Sequence, residues 1–131
     1  MNTLIRFAPT AARLVLGLIF AIFGLNGFLH FIPIPPAEGA AGSFMGGLAA
    51  TGYFFPMLAL TQVFVGAALL LNFLAPLALV VLAPITVHIF AYHTLVPDGF
   101  GMAVLIVVLH VGLAWHLRES YRPLFINKVT S

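Results

Sequence analysis

Four apolar runs, each about as long as a bilayer is thick, occupy nearly all of this 131-residue chain, at about 11–31, 54–73, 77–95 and 101–118. A helix that crosses the hydrocarbon core of a membrane needs ~20 mostly apolar residues. Hydrophobic residues make up 63% of the chain and charged residues only 6%, where a soluble domain carries ~25% charged. Five basic and three acidic side chains are too few to cover a water-facing surface. The pattern therefore predicts a single all-α domain, an integral membrane four-helix bundle with lipid bilayer as its solvent. In that solvent every polar side chain inside a span is unusual.

The same counts exclude whole classes of function. The basic residues lie near the ends rather than in a solvated cluster, so no nucleic-acid surface is expected. With no cysteine, thiolate nucleophiles, disulfide exchange and iron–sulfur ligation are excluded. The first run resembles a secretory signal at its start, but it is long, and Phe28-Leu29-His30-Phe31 is too bulky for a cleavage site. A retained helix is expected there.

Arg6 and Arg13 flank the start of the first run, and Arg118, Arg122 and Lys128 follow the last. Four spans put both termini on one side, and the positive-inside rule makes that side cytoplasmic. Glu38 and Asp98 then fall in outward loops, and Trp115 and Tyr121 in an inner aromatic belt. The long first loop opens with Phe31–Pro36, which cannot continue a helix. The segment at about 36–51 then reads as a short interfacial helix in that first outer loop, with Pro36 and Glu38 at its start and Gly52 at its end.

Small residues at helical spacing, namely Gly17, Ala21 and Gly24 in the first span and Ala59 and Gly66 in the second, mark faces where backbones can approach in lipid. Pro84 should kink the third span. At ~1.5 Å per residue, His88 and His110 each come to roughly 16 Å from the inner surface and Gln62 to roughly 18 Å. Asn26, Tyr92 and His93 form a second polar level nearer the outside, His30 lies on the outer rim and His116 at the inner interface.

Three readings of these levels stand side by side. Gln and His can hydrogen-bond across the bundle and fix helix register, at ~0.6–2 kcal/mol each. Asn26, Gln62, His88, Tyr92, His93 and His110 can line a ligand site, with a donor for a quinone or another apolar molecule bearing carbonyl groups. Or His88 and His110, both neutral imidazoles at one depth, can ligate a b-type haem; no other metal site is expected. No Asp or Glu lies inside a span, which argues against an ion-coupled carrier, and no nucleophile–base pair or phosphate loop is present, so an independent enzyme is not expected.

The chain also resembles DoxX-type small membrane proteins. The resemblance lies in Ala12–Phe20 running into Gly24-Leu25-Asn26-Gly27-Phe28, in Phe31–Pro36, Thr51-Gly52-Tyr53, Gly66 before Leu69-Leu70-Leu71, Ala83-Pro84-Ile85 with His93, and Tyr121-Arg122-Pro123-Leu124-Phe125. It implies a four-helix protein of the bacterial inner membrane, some relatives being subunits of quinone-linked oxidoreductases or tied to redox systems. Relatives often carry an acid where Gln62 stands and Asn where His88 stands. The missing acid removes a proton-transfer group, and His88 adds a ligand position.

The expected function is an accessory, non-catalytic subunit of a larger redox or energy-transducing membrane complex, packed against other membrane subunits or a second copy and contacting quinone or lipid. The alternative is a stand-alone quinone- or haem-binding redox protein, with a small-molecule carrier as a third class.

Overall fold

A computed structural model describes residues 2–33, 36–96 and 100–126. The described residues are all-helical, without strands: α1 (Asn2–Leu29), α2 (Gly39–Ala50), α3 (Phe54–Leu70), α4 (Ala75–His93), α5 (Phe100–His116) and a terminal 3₁₀ helix, η1 (Arg118–Phe125). Two helices, α1 and α4, are each long and apolar enough to cross a membrane, and the count rises to four if the bent pairs α2–α3 and α5–η1 are each taken as one span.

Helix α1 begins at Asn2, nine residues before the expected start at 11, and passes through Pro9 without ending. An apolar run measures hydropathy, not the length of the helix, and Pro9, the eighth residue of α1, removes the one backbone bond that would have gone to the Ile5 carbonyl. The other boundaries fall within a few residues of expectation. Helix α2 starts at Gly39 rather than 36, because that glycine adopts φ +64° as the chain enters the helix.

The four longer helices touch in a closed ring, α1 with α3, α3 with α4, α4 with α5 and α5 with α1, while α2 leans on α3 at a bend of 92°. The closest approach is between α1 and α3. A Cβ added at Gly24 would lie 2.7 Å from the Val63 nitrogen, one at Gly27 2.6 Å from the Ala59 Cβ, and one at Gly66 would collide with the backbone of Ala21. Side chains of almost no size let the two backbones meet, so dispersion contacts replace the hydrophobic drive that is missing between helices in lipid. The buried core beside this seam comprises Leu16, Phe20, Val65 and Leu69, continued by Leu79 and Leu82 of α4 and by Ile106 and Leu113 of α5.

The turn from α3 to α4 shows how an apolar chain end is satisfied. Asn72 takes φ 52°, and the Phe73 and Asn72 amides donate to the carbonyls of Ala68 (2.8 Å) and Leu69 (3.3 Å). This is a Schellman closure with Asn in the left-handed position. Leu71 donates to Ala67 at 2.9 Å. The Arg13 guanidinium reaches across from α1 and donates to the Leu69 and Leu70 carbonyls. The last four carbonyls of α3 thus all have donors, which a helix end next to lipid requires. Beside it, Tyr121 of η1 donates its hydroxyl to the Pro76 carbonyl in the first turn of α4, at 2.9 Å. Burial raises the Tyr121 pKa above the usual tyrosine value near 10.

Replacing Gly66 by Val should lower the detergent-solubilised unfolding midpoint by an amount equivalent to about 1–3 kcal/mol, because α3 must move off α1. Gly112 faces open space in α5, so Gly112→Ala should be neutral or slightly stabilising on the same thermal scan. Equal losses in both would contradict the seam. Removing the guanidinium with Arg13→Leu should cost about 1.5–3 kcal/mol, while Arg13→Lys should recover part of it.

Candidate functional site

The buried polar groups sit between helices that pack with their own periodicity. Helix α5 buries Ala103, Ile106, His110 and Leu113, and α4 buries Ala75, Ala78, Leu79, Leu82 and Thr86. The steps of three and four residues run two facing stripes together. Where they meet, His110 Nδ1 and Thr86 Oγ1 share a hydrogen bond of 2.8 Å, both residues being buried. The backbone of Leu79 is a second polar neighbour of the ring. His110 is therefore held inside the helix assembly by a partner on the neighbouring helix.

His88 lies elsewhere. It follows Thr86 by two positions, ~200° around the helix at ~100° per residue, and it is exposed together with Pro84 and Val87. His88 and His110 do not face one another, and a haem held between them in one chain does not fit these positions. Residue counting puts the two at one depth, but His110 bonds at the level of Thr86, so His88 stands ~3 Å further along α4 as well as on a different side of it. Gln62 is half-buried on α3, without a hydrogen bond among the described residues.

The outer polar level is divided too. Asn26 is buried, and its Oδ1 accepts from the Ile32 amide at 2.7 Å. With His30 at φ 51° and its amide donating to the Asn26 carbonyl at 2.8 Å, Asn26 closes the end of α1. Its acceptor is used in the fold. His93 donates through Nδ1 to the Ile89 carbonyl of its own helix at 2.7 Å, because a carbonyl can only accept. This leaves Nε2 as the edge available for another partner. Tyr92 meets His93 edge-on at 5.4 Å and Phe44 of α2 at 6.2 Å.

Of the six expected residues, the structure gathers His88 and Tyr92 along one open groove of about 190 Å³ between α2 and α4, lined also by Phe44, Ala91 and Leu95. It is mostly apolar, with an imidazole and a phenol along its length. A second open recess, of about 500 Å³, lies between the loop before α2 and Leu95–Val96. Asp98 lies outside the described residues.

Sequence reasoning missed Thr86 as the partner of His110, Arg13 as the cap of α3 and Tyr121 as the tether to α4. A signal for the first was present: Thr86 continues the stripe of Ala78, Leu79 and Leu82 by one turn, on the face that meets α5.

The chain matches no family model, no curated protein and no solved structure.

If the Thr86–His110 pair sets the register of α4 on α5, Thr86→Val should destabilise by about 1–3 kcal/mol by orphaning the imidazole. Thr86→Ser should be close to wild type. The double variant Thr86→Val with His110→Leu should recover most of the loss. Thermal unfolding in detergent reads all three, and additive losses in the double variant would contradict the pairing.

Proposed function

We propose that this chain is a four-span protein of a bacterial inner membrane, with both ends in the cytoplasm and α2 resting on the outer surface. In this reading it is an accessory, non-catalytic subunit of a larger redox or energy-transducing complex of the kind that DoxX-type proteins serve. Several observations support the topology. Helices α3 and α5 have 17 residues each, the lower end of the spanning range. Arg13 meets the end of α3 and Tyr121 the start of α4, so Arg13, Arg118 and Arg122 gather at one end of the helix assembly. Glu38 stands before α2 at the other. That asymmetry fits the positive-inside rule. Lys128 lies outside the described residues.

The observation that carries the functional reading is the outward position of His88. An ionisable side chain inside a span, here five residues from the outer end of α4, is costly against lipid and usually faces protein, water or a ligand. The interior of this protein already has its own polar pair in His110 and Thr86. His88 is thus the group left for a neighbour, on a face of α4 that also presents Pro84, Val87 and Ala91. A partner helix supplying a hydrogen bond to that imidazole would make the face a specific docking surface.

A second reading, a quinone site, is favoured by the groove itself. Phe44 and Tyr92 offer ring faces, and the Tyr92 hydroxyl and His88 imidazole offer donors to a carbonyl oxygen.

Affinity purification of the tagged protein from its native membranes should bring down at least one other membrane subunit. His88→Leu should lose that partner with an unchanged unfolding midpoint. A wild-type chain that purifies alone as a monomer contradicts the accessory role. Quinone found by mass spectrometry in that lone species, and lost in Tyr92→Leu, would favour the second reading instead.

A further inference from the structure

The polypeptide changes direction sharply after α5. Helix α5 and η1 meet at 76°, so if α5 crosses the membrane, η1 runs close to its plane. On α5 an exposed apolar stripe, Val104, Val108, Val111 and Trp115, climbs one side of the helix toward that corner. At the corner stands Arg118, exposed, its guanidinium 4.8 Å above the Trp115 ring and one of its nitrogens donating to the Trp115 carbonyl at 2.9 Å. Arg122 follows one turn on, 3.3 Å from Glu119. Beyond it Leu124, Phe125 and Ile126 are exposed, Phe125 at 80%.

From this arrangement we infer a binding site for one anionic phospholipid at the α5–η1 corner. The inference rests on the membrane-spanning reading above. An acyl chain lies along Val104, Val108 and Val111. Trp115 sits at the depth of the glycerol backbone, where indole rings collect. The headgroup phosphate meets Arg118. A guanidinium has five N–H donors in a planar fork, and the bond to the Trp115 carbonyl and the stacking on its ring fix the fork without consuming it. The remaining donors face outward, in the geometry that suits a phosphate. Arg122 adds a weaker attraction because Glu119 competes for it, and the apolar Leu124–Ile126 segment holds η1 down among the headgroups. Tyr121, bonded to the Pro76 carbonyl, keeps the corner at a fixed angle. Charge complementarity selects the anionic lipid. The continuous apolar stripe beneath Arg118 selects a lipid rather than a free phosphate.

The single tryptophan of the chain is a built-in reporter at the site. The full-length protein is placed in nanodiscs of phosphatidylcholine containing an equal, small mole fraction of either acyl-brominated phosphatidylglycerol or acyl-brominated phosphatidylcholine. Bromine quenches indole emission only at close range. Brominated phosphatidylglycerol should quench Trp115 about three- to fivefold more effectively, the gain expected for roughly one basic side chain at an anionic surface. Arg118→Gln should bring the two lipids to equality, and Arg122→Gln should remove only part of the difference. Both positions are exposed, so neither change should alter the unfolding midpoint. Equal quenching of the wild type by both lipids overturns the site and leaves the membrane reading standing. A preference that survives Arg118→Gln also overturns it. Absence of quenching by either lipid overturns the membrane reading together with the site.

Discussion

The contact of α1 with α3 is the constraint on which the rest of the structure depends. Gly17, Gly24 and Gly27 on one helix and Gly66 on the other leave no room for a side chain between the two backbones. In an apolar solvent, burying leucine against leucine gains little over burying it against lipid, so close backbone approach and satisfied polar groups must hold helices together. The α1–α3 seam provides the first, and Arg13, crossing that seam to the last carbonyls of α3, provides the second. Once α1 and α3 are fixed, the Schellman closure at Asn72 sets where α4 begins, and α4 sets where α5 can pack.

The polar residues divide by whether the fold already uses them. Asn26, His93 and His110 each have a hydrogen-bond partner within the chain. They read as parts that hold helix ends and register, with the open Nε2 edge of His93 as the exception. His88 and Tyr92 lie along the open groove beside Phe44. On this division the interior is a closed scaffold, and the outward face of α4 carries polar side chains without a hydrogen-bond partner among the described residues. Arg118, resting on Trp115, marks another outward place, at the opposite end of the helix assembly from α2.

Much of the fold was legible from composition and run length alone. Four bilayer-length apolar runs in a chain with so few charges admit little except helices, and Pro33, Pro35 and Pro36 with the glycine-rich stretch after them marked a separate short helix. The small-residue seam was legible at Gly17, Ala21, Gly24 and Gly66, because the spacing of four and three carries its own physical meaning in lipid. The site was less so. Counting depth placed His88 and His110 at one level, but depth is one of two coordinates on a helix. The second, the angle around the axis, is set by which stripe is buried, and in helices apolar on every side the hydrophobic pattern hardly distinguishes one face from another. The hydrogen bonds of Arg13, Asn26 and Tyr121 were illegible for a different reason. Arg13 and Asn26 bond backbone groups left free at or past a helix end, and Tyr121 bonds a carbonyl in the first turn of α4, so each depends on helix ends that run length fixes only to within a few residues.

The claim beneath the proposed role is that hydrocarbon surrounds this chain, with α2 outside and η1 inside. The absence of cysteine allows a direct measurement: a single cysteine placed by Glu38→Cys or by Glu119→Cys is probed in intact cells, with the outer membrane permeabilised, using a membrane-impermeant maleimide. The account predicts labelling of the Glu38→Cys protein in intact cells and of the Glu119→Cys protein only after the inner membrane is opened. Labelling of both from the same side would contradict it.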